Sequence, residues 1–399
     1  MNILSITAQK PDSTGSGIYL TELVKTFAAA GHAQAVVAGI YEEDSPQLAE
    51  GVAFYPVYFS SEKLPFHIVG MSDEMPYKST RYCDMTEEMT RQFSETFLEV
   101  ISRAVEAFQP DLILCHHLYL LTALVREHFP EHRVYGFCHN TDLRQMMKTP
   151  LRRDYIAEQI RKLDAVFVPQ TAQEEGVRQI YQMEPERIHM SGTGYNQEIF
   201  RRTEDGRKKR DDKVLRLAFA GKIAEKKGVK SLIKSLWHLP YKRESLILRL
   251  AGGAGNEKEY DEIVCLAEEA PYEVEFLGKL PQQELAKVYN DSDIFVLPSF
   301  FDGLPLTVIE ALACGDKVVM TDFPGIQDWL TEQAPGAPVV YVAMPQMRNT
   351  DEVVEASLEA FERELAGKIV ECAELPADTL PDLTHLSWKN ICERILEIS

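Results

Sequence analysis

The sequence predicts an α/β protein with two domains, each built around a parallel sheet. The chain has 399 residues, more than one hydrophobic core usually serves. Apolar runs of strand length alternate with helical patterns along nearly all of it, which is typical of βαβ units. A charge-dense stretch without apolar periodicity, RRTEDGRKKRDDK at 201–213, separates two halves and is the predicted linker.

Each half reads as a series of strands and helices. The first domain is expected over 1–200, with strands Asn2–Thr7, Ala35–Ala38, Asp111–Cys115, Val134–Phe137 and Ala165–Val168, and helices Ile18–Ala30, Glu87–Phe108, Leu120–His128 and Ala172–Tyr181. The second is expected over 214–385, with strands Leu215–Ala220, Leu246–Ala251, Val274–Leu277, Ile294–Leu297 and Lys317–Met320. Because ligands bind at the carboxyl ends of strands in such sheets, the loops there, facing a cleft between the two sheets, are the places to search for function.

Composition and charge argue against several classes of protein. The chain has 42 Lys and Arg against 62 Asp and Glu, and the net charge of −20 opposes non-specific nucleic-acid binding. The seven Cys are widely spaced without a CxxC pair, as in a reduced cytoplasmic protein with no zinc site. No apolar run reaches the roughly 18 residues of a transmembrane helix, and the opening MNILSITA lacks the basic flank of a signal peptide. The sequence therefore predicts a cytoplasmic protein.

Two glycine-rich loops follow predicted strands. Gly15 and Gly17 precede the first helix, whose free N–H groups suit an anion, although a flexible turn explains the glycines equally well. The second loop, GGAG at 252–255, follows a strand of the second half. Neither completes the dinucleotide pattern GxGxxG, because the third position is Leu20 or Lys258, and no GxxxxGK[ST] occurs. Dehydrogenase and P-loop functions are therefore disfavoured.

Two lysines follow the first strand of the second half. Lys222 comes just after the strand, and Lys227 precedes the next helix. Two ammonium groups at the crevice end of a sheet would bind a diphosphate without a metal. Read alone, the sequence KKG is more simply a solvated turn, so the hypothesis depends on the rest of the site.

The most informative segment is LPSFFDGLPLTVIE at 297–310. A buried strand leads into a loop, and Pro305 is expected at the first position of a helix. The N–H groups of Leu306 and Thr307 would then lack intrahelical partners and could receive a phosphate, while Gly303 leaves room for a sugar ring. The segment therefore predicts a phosphate-binding helix start.

Two carboxylates belong to the same segment. Glu310 lies in the apolar stretch LTVIEALA, where an unpaired carboxylate would be costly, and it could accept hydrogen bonds from ribose hydroxyls. Asp302, in the loop eight residues earlier, could do the same for a hexose. A turn residue and a helix-surface carboxylate are the simpler alternatives.

Taken together, these motifs resemble glycosyltransferase family 4 (glycosyl transferases group 1), retaining enzymes of the GT-B architecture with two Rossmann-like domains. The family's mark is Glu-x7-Glu in a strand-to-helix turn, which Asp302 and Glu310 match. The early glycine loop, the sequence GYNQEIF at 194–200, the two lysines and FLGK at 276–279 follow in the family's order. The final LSW and helix, 386–399, are similar to the family's last helix, which packs back on the first domain.

The resemblance implies a role for each matching residue. Lys222 and Lys227 would bind the donor's diphosphate, Glu310 the ribose, and Asp302 the transferred sugar. His139, in FCHN after a strand, resembles a histidine that contacts the sugar or phosphate, although a lone histidine is more often structural. The remaining donor-binding positions implied are Gly15, Gly17, Gly278, Lys279, Gly303, Leu304, Pro305, Leu306 and Thr307.

No metal or other cofactor is expected. The sequence Asp291-Ser292-Asp293 spells the DxD metal motif of another glycosyltransferase fold, but it joins a helix to a strand, where capping is the simpler role. Two positions depart from the family: Asp302 replaces Glu, and Lys222 replaces an Arg that could bind a phosphate with two parallel hydrogen bonds. These departures leave the identity of the sugar open.

The sequence thus predicts a metal-independent, retaining, hexosyltransferase-like enzyme that moves a sugar from a nucleotide diphosphate sugar, such as a UDP-sugar, to an acceptor hydroxyl. A nucleotide-sugar 2-epimerase of the same fold and a non-catalytic sugar-nucleotide-binding protein are the alternatives. The acceptor, whether small molecule, glycan or lipid-linked, is not specified. The segment Tyr55–Tyr82 is expected either to line the acceptor side or to pack on the surface. The basic residues Arg144, Lys148, Arg152 and Arg153 suggest an anionic acceptor, association with the inner face of a membrane or, most simply, a solvated helix face.

Overall fold

The computed structural model describes residues 1–192, 194–203, 213–302, 306–348, 352–376 and 380–398. The chain divides into two compact units, Met1–Thr193 with Trp388–Ser399, and Gly194–Ser387. Each unit is a parallel sheet with helices packed against it, so the α/β class predicted from the sequence is confirmed.

The first unit is built around a parallel sheet whose five central strands are buried along most of their length, whereas its two edge strands are mostly half-buried. The strand order is β3-β2-β1-β6-β7-β8-β9, and the adjacent β4 and β5 pair with each other. The bounds are β1 Asn2–Thr7, β2 Ala33–Ile40, β3 Ala53–Tyr58, β4 Val69–Gly70, β5 Thr80–Arg81, β6 Leu112–His116, β7 Val134–Phe137, β8 Ala165–Val168 and β9 Ile188–Met190.

Helices connect these strands and cover the sheet. Their bounds are α1 Gly15–Ala29, α2 Glu87–Phe108, α3 Leu120–His128, α4 Thr141–Lys148, α5 Arg153–Ile160, α6 Thr171–Tyr181 and, from the end of the chain, α13 Trp388–Glu397. Side-chain caps start the first two: Thr14 accepts a hydrogen bond from the N–H of Gly17, and Thr86 from that of Met89. The last helix packs against α1, with Trp388 edge-on to Tyr19 at a ring-centroid distance of 4.9 Å.

The second unit repeats this construction. Its sheet has the order β12-β11-β10-β13-β14-β15, with all strand pairs parallel, and β16 pairs with β17. The strands are β10 Leu215–Ala220, β11 Leu246–Ala251, β12 Glu273–Gly278, β13 Ile294–Leu297, β14 Lys317–Thr321, β15 Val339–Val342, β16 Met347–Arg348 and β17 Glu352–Val353. The helices are α7 Val229–Ser235, α8 Glu257–Glu268, α9 Gln282–Asn290, α10 Leu306–Cys314, α11 Ile326–Gln333 and α12 Leu358–Glu374.

The boundary between the units lies earlier in the chain than the predicted linker. Tyr195 and Phe200 are buried in the core of the second unit, and the Tyr195 N–H donates to the carbonyl of Leu386 at 3.2 Å. The charge pattern of 201–213 could not reveal this, because the two aromatic residues before it read equally well as the end of the first half. Of the predicted linker, 204–212 lie outside the described residues.

No helix within the described residues combines the length and apolar character needed to cross a membrane.

Candidate functional site

The second unit brings Lys227 and Asp302 together at the ends of neighbouring strands. Lys227 closes a 3-10 turn after β10, and Asp302 follows β13, the strand paired with β10. The Lys227 Nζ and Asp302 Oδ2 atoms are 2.6 Å apart, and both side chains are partly exposed. The sequence had suggested a separate ligand for each residue and gave no sign that they pair.

The pairing depends on how the turn packs against the segment after β13. Gly228 has a φ of +70°, and a Cβ there would lie 2.0 Å from the carbonyl oxygen of Pro298. The N–H of Phe300 donates to the carbonyl of Lys226 at 3.0 Å. A glycine at 228 therefore permits both the left-handed backbone and the close approach that puts Lys227 beside the loop of Asp302.

Glu310 lies inside the second turn of α10 and is only 7% exposed. Its neighbours in sequence, Ile309 and Ala311, are buried too. Its charge adds to burial in raising the pKa of the Tyr289 hydroxyl, for which burial is the main cause. Leu306 and Thr307 form the half-buried first turn of the helix.

The predicted positions Gly303, Leu304 and Pro305 lie outside the described residues. The helix is described from Leu306 to Cys314.

Lys222 and Lys279 occupy the ends of β10 and β12, on either side of β11. Lys222 is half-buried, whereas Lys279 is exposed and follows Gly278, whose φ is +68°. The strands that precede the two lysines are therefore separated in the sheet by one strand, β11.

The first glycine loop of unit 1 begins α1 at Gly15. A Cβ at Gly17 would lie 2.8 Å from the carbonyl oxygen of Lys10, whereas one at Gly15 would meet nothing within 4 Å. Ser16 Oγ and His117 Nε2 are 3.1 Å apart, which ties the loop to the end of β6. Packing thus requires a glycine at position 17, whereas there is room for a Cβ at position 15, at the start of α1.

Three histidines gather at the ends of β6 and β7. His116 Nδ1 and His139 Nε2 are 3.2 Å apart, and the His117 and His139 ring centroids are separated by 4.8 Å. Burial lowers the pKa of His139 to about 3 and lowers the pKa of the other two well below the usual range, to which the neighbouring imidazoles add. All three are therefore neutral near pH 7 and act as hydrogen-bonding groups rather than cations.

Asp142 fixes this cluster and was not foreseen. Fully buried at the start of α4, it accepts hydrogen bonds from the N–H groups of His139 at 3.2 Å and Leu118 at 2.8 Å. Tyr19 packs edge-on to the His139 ring at a centroid distance of 5.4 Å. The only signal in the sequence is HNTD, which puts an acid in the first turn of the following helix, where a carboxylate is favoured.

The segment Tyr55–Tyr82 packs into the first unit. Leu64, Ile68 and Tyr82 are buried in its core, and Arg144 forms an ion pair with Asp73 of the segment. Arg144 is itself buried, so a solvated helix face is the wrong interpretation for this member of the basic cluster. The remaining members, Lys148, Arg152 and Arg153, are exposed.

One further cation, Lys10, was not among the residues singled out from the sequence. Lys10 Nζ is 2.5 Å from Asp44 Oδ1 and sits over the rings of Tyr41 and Tyr77, 4.7 and 5.1 Å from their centroids. The contacts join residues widely separated in sequence, so no local motif could have indicated them.

The DxD sequence has structural partners. Asp293 Oδ2 accepts a hydrogen bond from the N–H of Arg216 at 2.9 Å, and Asp291 Oδ2 accepts one from Arg249 Nη1 at 2.6 Å. Both carboxylates therefore tie the segment between α9 and β13 to neighbouring strands.

Two family models match the chain in succession. Residues 13–198 match the family described as Glycosyltransferase Family 4, and residues 200–357 match Glycosyl transferases group 1. Together the two matches cover most of both units.

Individual relatives match over shorter stretches. The chain is 26% identical to the alpha-maltose-1-phosphate synthase of Mycolicibacterium smegmatis over 258 residues, 59% of this chain and 62% of the relative. It is 33% identical to the D-inositol 3-phosphate glycosyltransferase of Corynebacterium jeikeium over 118 residues, 28% of either chain. The chain thus spans less than two thirds of the length of these curated relatives.

Solved structures share the fold over the whole chain. The sucrose-phosphate synthase from Thermosynechococcus elongatus superposes with a TM-score of 0.68 at 17% identity, covering 100% of this chain and 98% of that one. At this identity the likeness concerns the fold alone.

Proposed function

The chain belongs to glycosyltransferase family 4 (glycosyl transferases group 1) and has the GT-B fold, and on this premise we propose that it transfers a sugar from a nucleotide diphosphate sugar to an acceptor hydroxyl. The transfer retains the anomeric configuration and needs no metal ion. Lys222 and Lys227 bind the diphosphate, Glu310 the ribose, and Asp302 the transferred sugar.

The Lys227–Asp302 contact is the observation that supports this assignment most. A donor's diphosphate and its sugar are joined through a single oxygen, so groups that bind them must be immediate neighbours. The 2.6 Å between Lys227 Nζ and Asp302 Oδ2 meets this requirement. One ammonium and one carboxylate in contact at the ends of parallel strands therefore suit a ligand that has an anionic and a hydroxylated part side by side.

The ammonium groups also supply the main catalytic effect. As the bond from the sugar to the diphosphate breaks and the acceptor oxygen bonds to the sugar, negative charge grows on the leaving diphosphate, which takes up the proton of the acceptor hydroxyl. Lys222 and Lys227 stabilise this developing charge more than they stabilise the bound donor. Asp302, engaged with Lys227, holds the sugar by its hydroxyls rather than attacking it. Glu310, buried one turn inside α10, accepts hydrogen bonds from the two hydroxyls of the ribose.

We propose that His139 acts as a neutral hydrogen-bonding group. Its pKa of about 3, lowered by burial, means that it cannot serve as a cationic acid near pH 7. The Nε2 atom is engaged with His116, so we assign the other ring nitrogen to a hydrogen bond with the sugar or its phosphate. His139 of the first unit thus contributes a neutral hydrogen-bonding group, and the lysines of the second unit contribute charge.

A donor screen tests the proposal. The full chain is incubated with individual UDP-, GDP- and ADP-sugars, in EDTA and in parallel with Mn²⁺. A metabolite extract is the source of acceptors, and products are followed by mass. Phosphorylated sugars and polyols are added singly, because the names of the relatives include a maltose phosphate, an inositol phosphate and a sucrose phosphate. We expect nucleoside diphosphate release with a product heavier than its acceptor by one sugar residue.

Other outcomes of the screen contradict the proposal. Isomerised sugar nucleotide or free sugar, without a glycoside, would indicate a 2-epimerase. Nucleotide binding without turnover of any donor would indicate a non-catalytic binding protein, and turnover only with Mn²⁺ would contradict the metal-free mechanism.

A further inference from the structure

The glycine-rich loop 252–255 lies between two loops that bear lysines. It follows β11, and the neighbouring strands β10 and β12 end near Lys222 and Lys279. The N–H of Ile223 donates to the carbonyl of Gly253 at 3.0 Å, so the loop is fixed by backbone hydrogen bonding to the loop of Lys222. The loop therefore lies between the two segments that carry the lysines.

Both lysines occupy the space in which a side chain of this loop would lie. A Cβ at Gly255 would be 1.7 Å from Cε and 2.4 Å from Nζ of Lys222. A Cβ at Gly253 would be 2.7 Å from Cε of Lys279. The absence of side chains at 253 and 255 is what allows each lysine to lie across the loop.

The backbone itself does not require glycine at these two positions. The left-handed glycines of the loop region include Gly252, with a φ of +155°, but not Gly253 or Gly255. Alanine is thus compatible with the backbone at both, and the nearest atoms that its Cβ would meet belong to the lysine side chains. Since the turn does not explain these glycines, the path of the lysines does.

We infer that Gly255 and Gly253 are positioning residues, which direct the ammonium groups of Lys222 and Lys279 over one loop so that both bind the same diphosphate. The inference rests on the proposed function and adds Lys279 as a further diphosphate cation. Two like charges kept over one surface repel each other and favour an anion between them. The bare backbone of the loop also lets that anion approach closely.

Gly255→Ala moves an ammonium without removing it. Lys222 Cε must shift by at least 1.7 Å to reach the 3.4 Å at which ordinary van der Waals contact begins. A shift of this size breaks a charged hydrogen bond, so we expect nucleoside diphosphate to bind about 10-fold more weakly. Binding of UDP, GDP and ADP to the full chain is measured by titration calorimetry, and the tightest binder is used for the variants.

A double-mutant cycle shows whether Gly255 acts through Lys222. In the Lys222→Ala background, where the long side chain that crosses the loop at Gly255 is gone, Gly255→Ala should have no further effect on affinity. Gly253→Ala paired with Lys279→Ala forms the equivalent cycle. The control is Gly367→Ala in α12, where a Cβ would meet nothing within 4 Å, and it should bind as the wild type does.

The outcomes separate this inference from the proposed function. If the wild type binds none of the three nucleotides, the proposed function fails. If it binds one and Gly255→Ala binds it equally well, or weakens it as much in the Lys222→Ala background, the inference alone is overturned. Should Gly255→Ala lower the melting temperature, the double variant with Lys222→Ala should recover it, and failure to recover would mean that the glycine serves the loop rather than the lysine.

Discussion

Lys227→Met should reduce transfer strongly and stability little. The side chains of Lys227 and Asp302 are 29% and 21% exposed, and a partly exposed ion pair contributes up to about 1 kcal/mol to the free energy of unfolding. In the proposed reaction the same ammonium faces the charge that develops on the leaving diphosphate, and a hydrogen bond to a charged group contributes about 1.5–3 kcal/mol. We therefore expect kcat/KM to fall by roughly 10- to 150-fold, measured from initial rates of nucleoside diphosphate release.

Lys230 offers a matched control for this experiment. It is 23% exposed and pairs with Glu225 and Glu262 at 3.1 and 2.9 Å, outside the proposed site. Lys230→Met should therefore leave kcat/KM within about 2-fold while costing at least as much stability, because it removes two partly exposed ion pairs without touching the donor. If the two variants lose activity equally, or if Lys227→Met turns over donor as the wild type does, the assignment of Lys227 to the leaving group is wrong.

Three further results are expected. Asp302→Asn should raise the KM for the donor while circular dichroism stays unchanged, because the substitution keeps the shape of the side chain but removes the charge that Lys227 orients. An unaltered KM would contradict the sugar-binding role of Asp302. The free energy of unfolding of the wild type, measured in urea, should fall between pH 6.5 and 4.5, by about 2–3 kcal/mol from His139 alone. The reason is that the folded pKa of His139, about 3, lies below the unfolded value, so the unfolded chain binds the extra proton. His139→Asn should flatten this slope, and an equal slope in the variant would refute the role given to His139. Gly17→Ala should lower the free energy of unfolding by about 1–3 kcal/mol, because its Cβ would clash with the Lys10 carbonyl. Gly15→Ala should change it little, and the reverse order of melting temperatures would count against the packing described for the loop.

The buried strands of both sheets could be predicted closely from the sequence. Val134–Phe137, Ala165–Val168 and Ile294–Leu297 are apolar throughout and buried at every position, so their pattern and bounds agree with the structure. The strand Ala53–Tyr58 was missed because it contains Pro56, which lacks an N–H donor and usually interrupts a strand. It is tolerated here because this strand is at the edge of its sheet.

The candidate site was predictable by residue type but not by pairing. The sequence named Lys227 and Asp302 as separate ligand contacts, yet their ion pair depends on Gly228 packing against Pro298, which no local pattern reveals. Asp142 was missed for the same reason, since its role is to hold backbone N–H groups in the loops after β6 and β7. Motifs thus indicated which chemistry is present, and tertiary packing determined which groups act together.

The most direct test of the proposed mechanism is donor turnover by the wild type and by Lys222→Ala/Lys227→Ala, each in EDTA and in Mn²⁺. The cognate nucleotide sugar and acceptor come from the donor screen, and release of nucleoside diphosphate is followed with time. We predict equal rates for the wild type under both conditions and loss of turnover in the double variant, whose circular dichroism should match the wild type. Release that requires Mn²⁺, or a double variant that works at the wild-type rate, would contradict a site in which two lysines take the place of a metal.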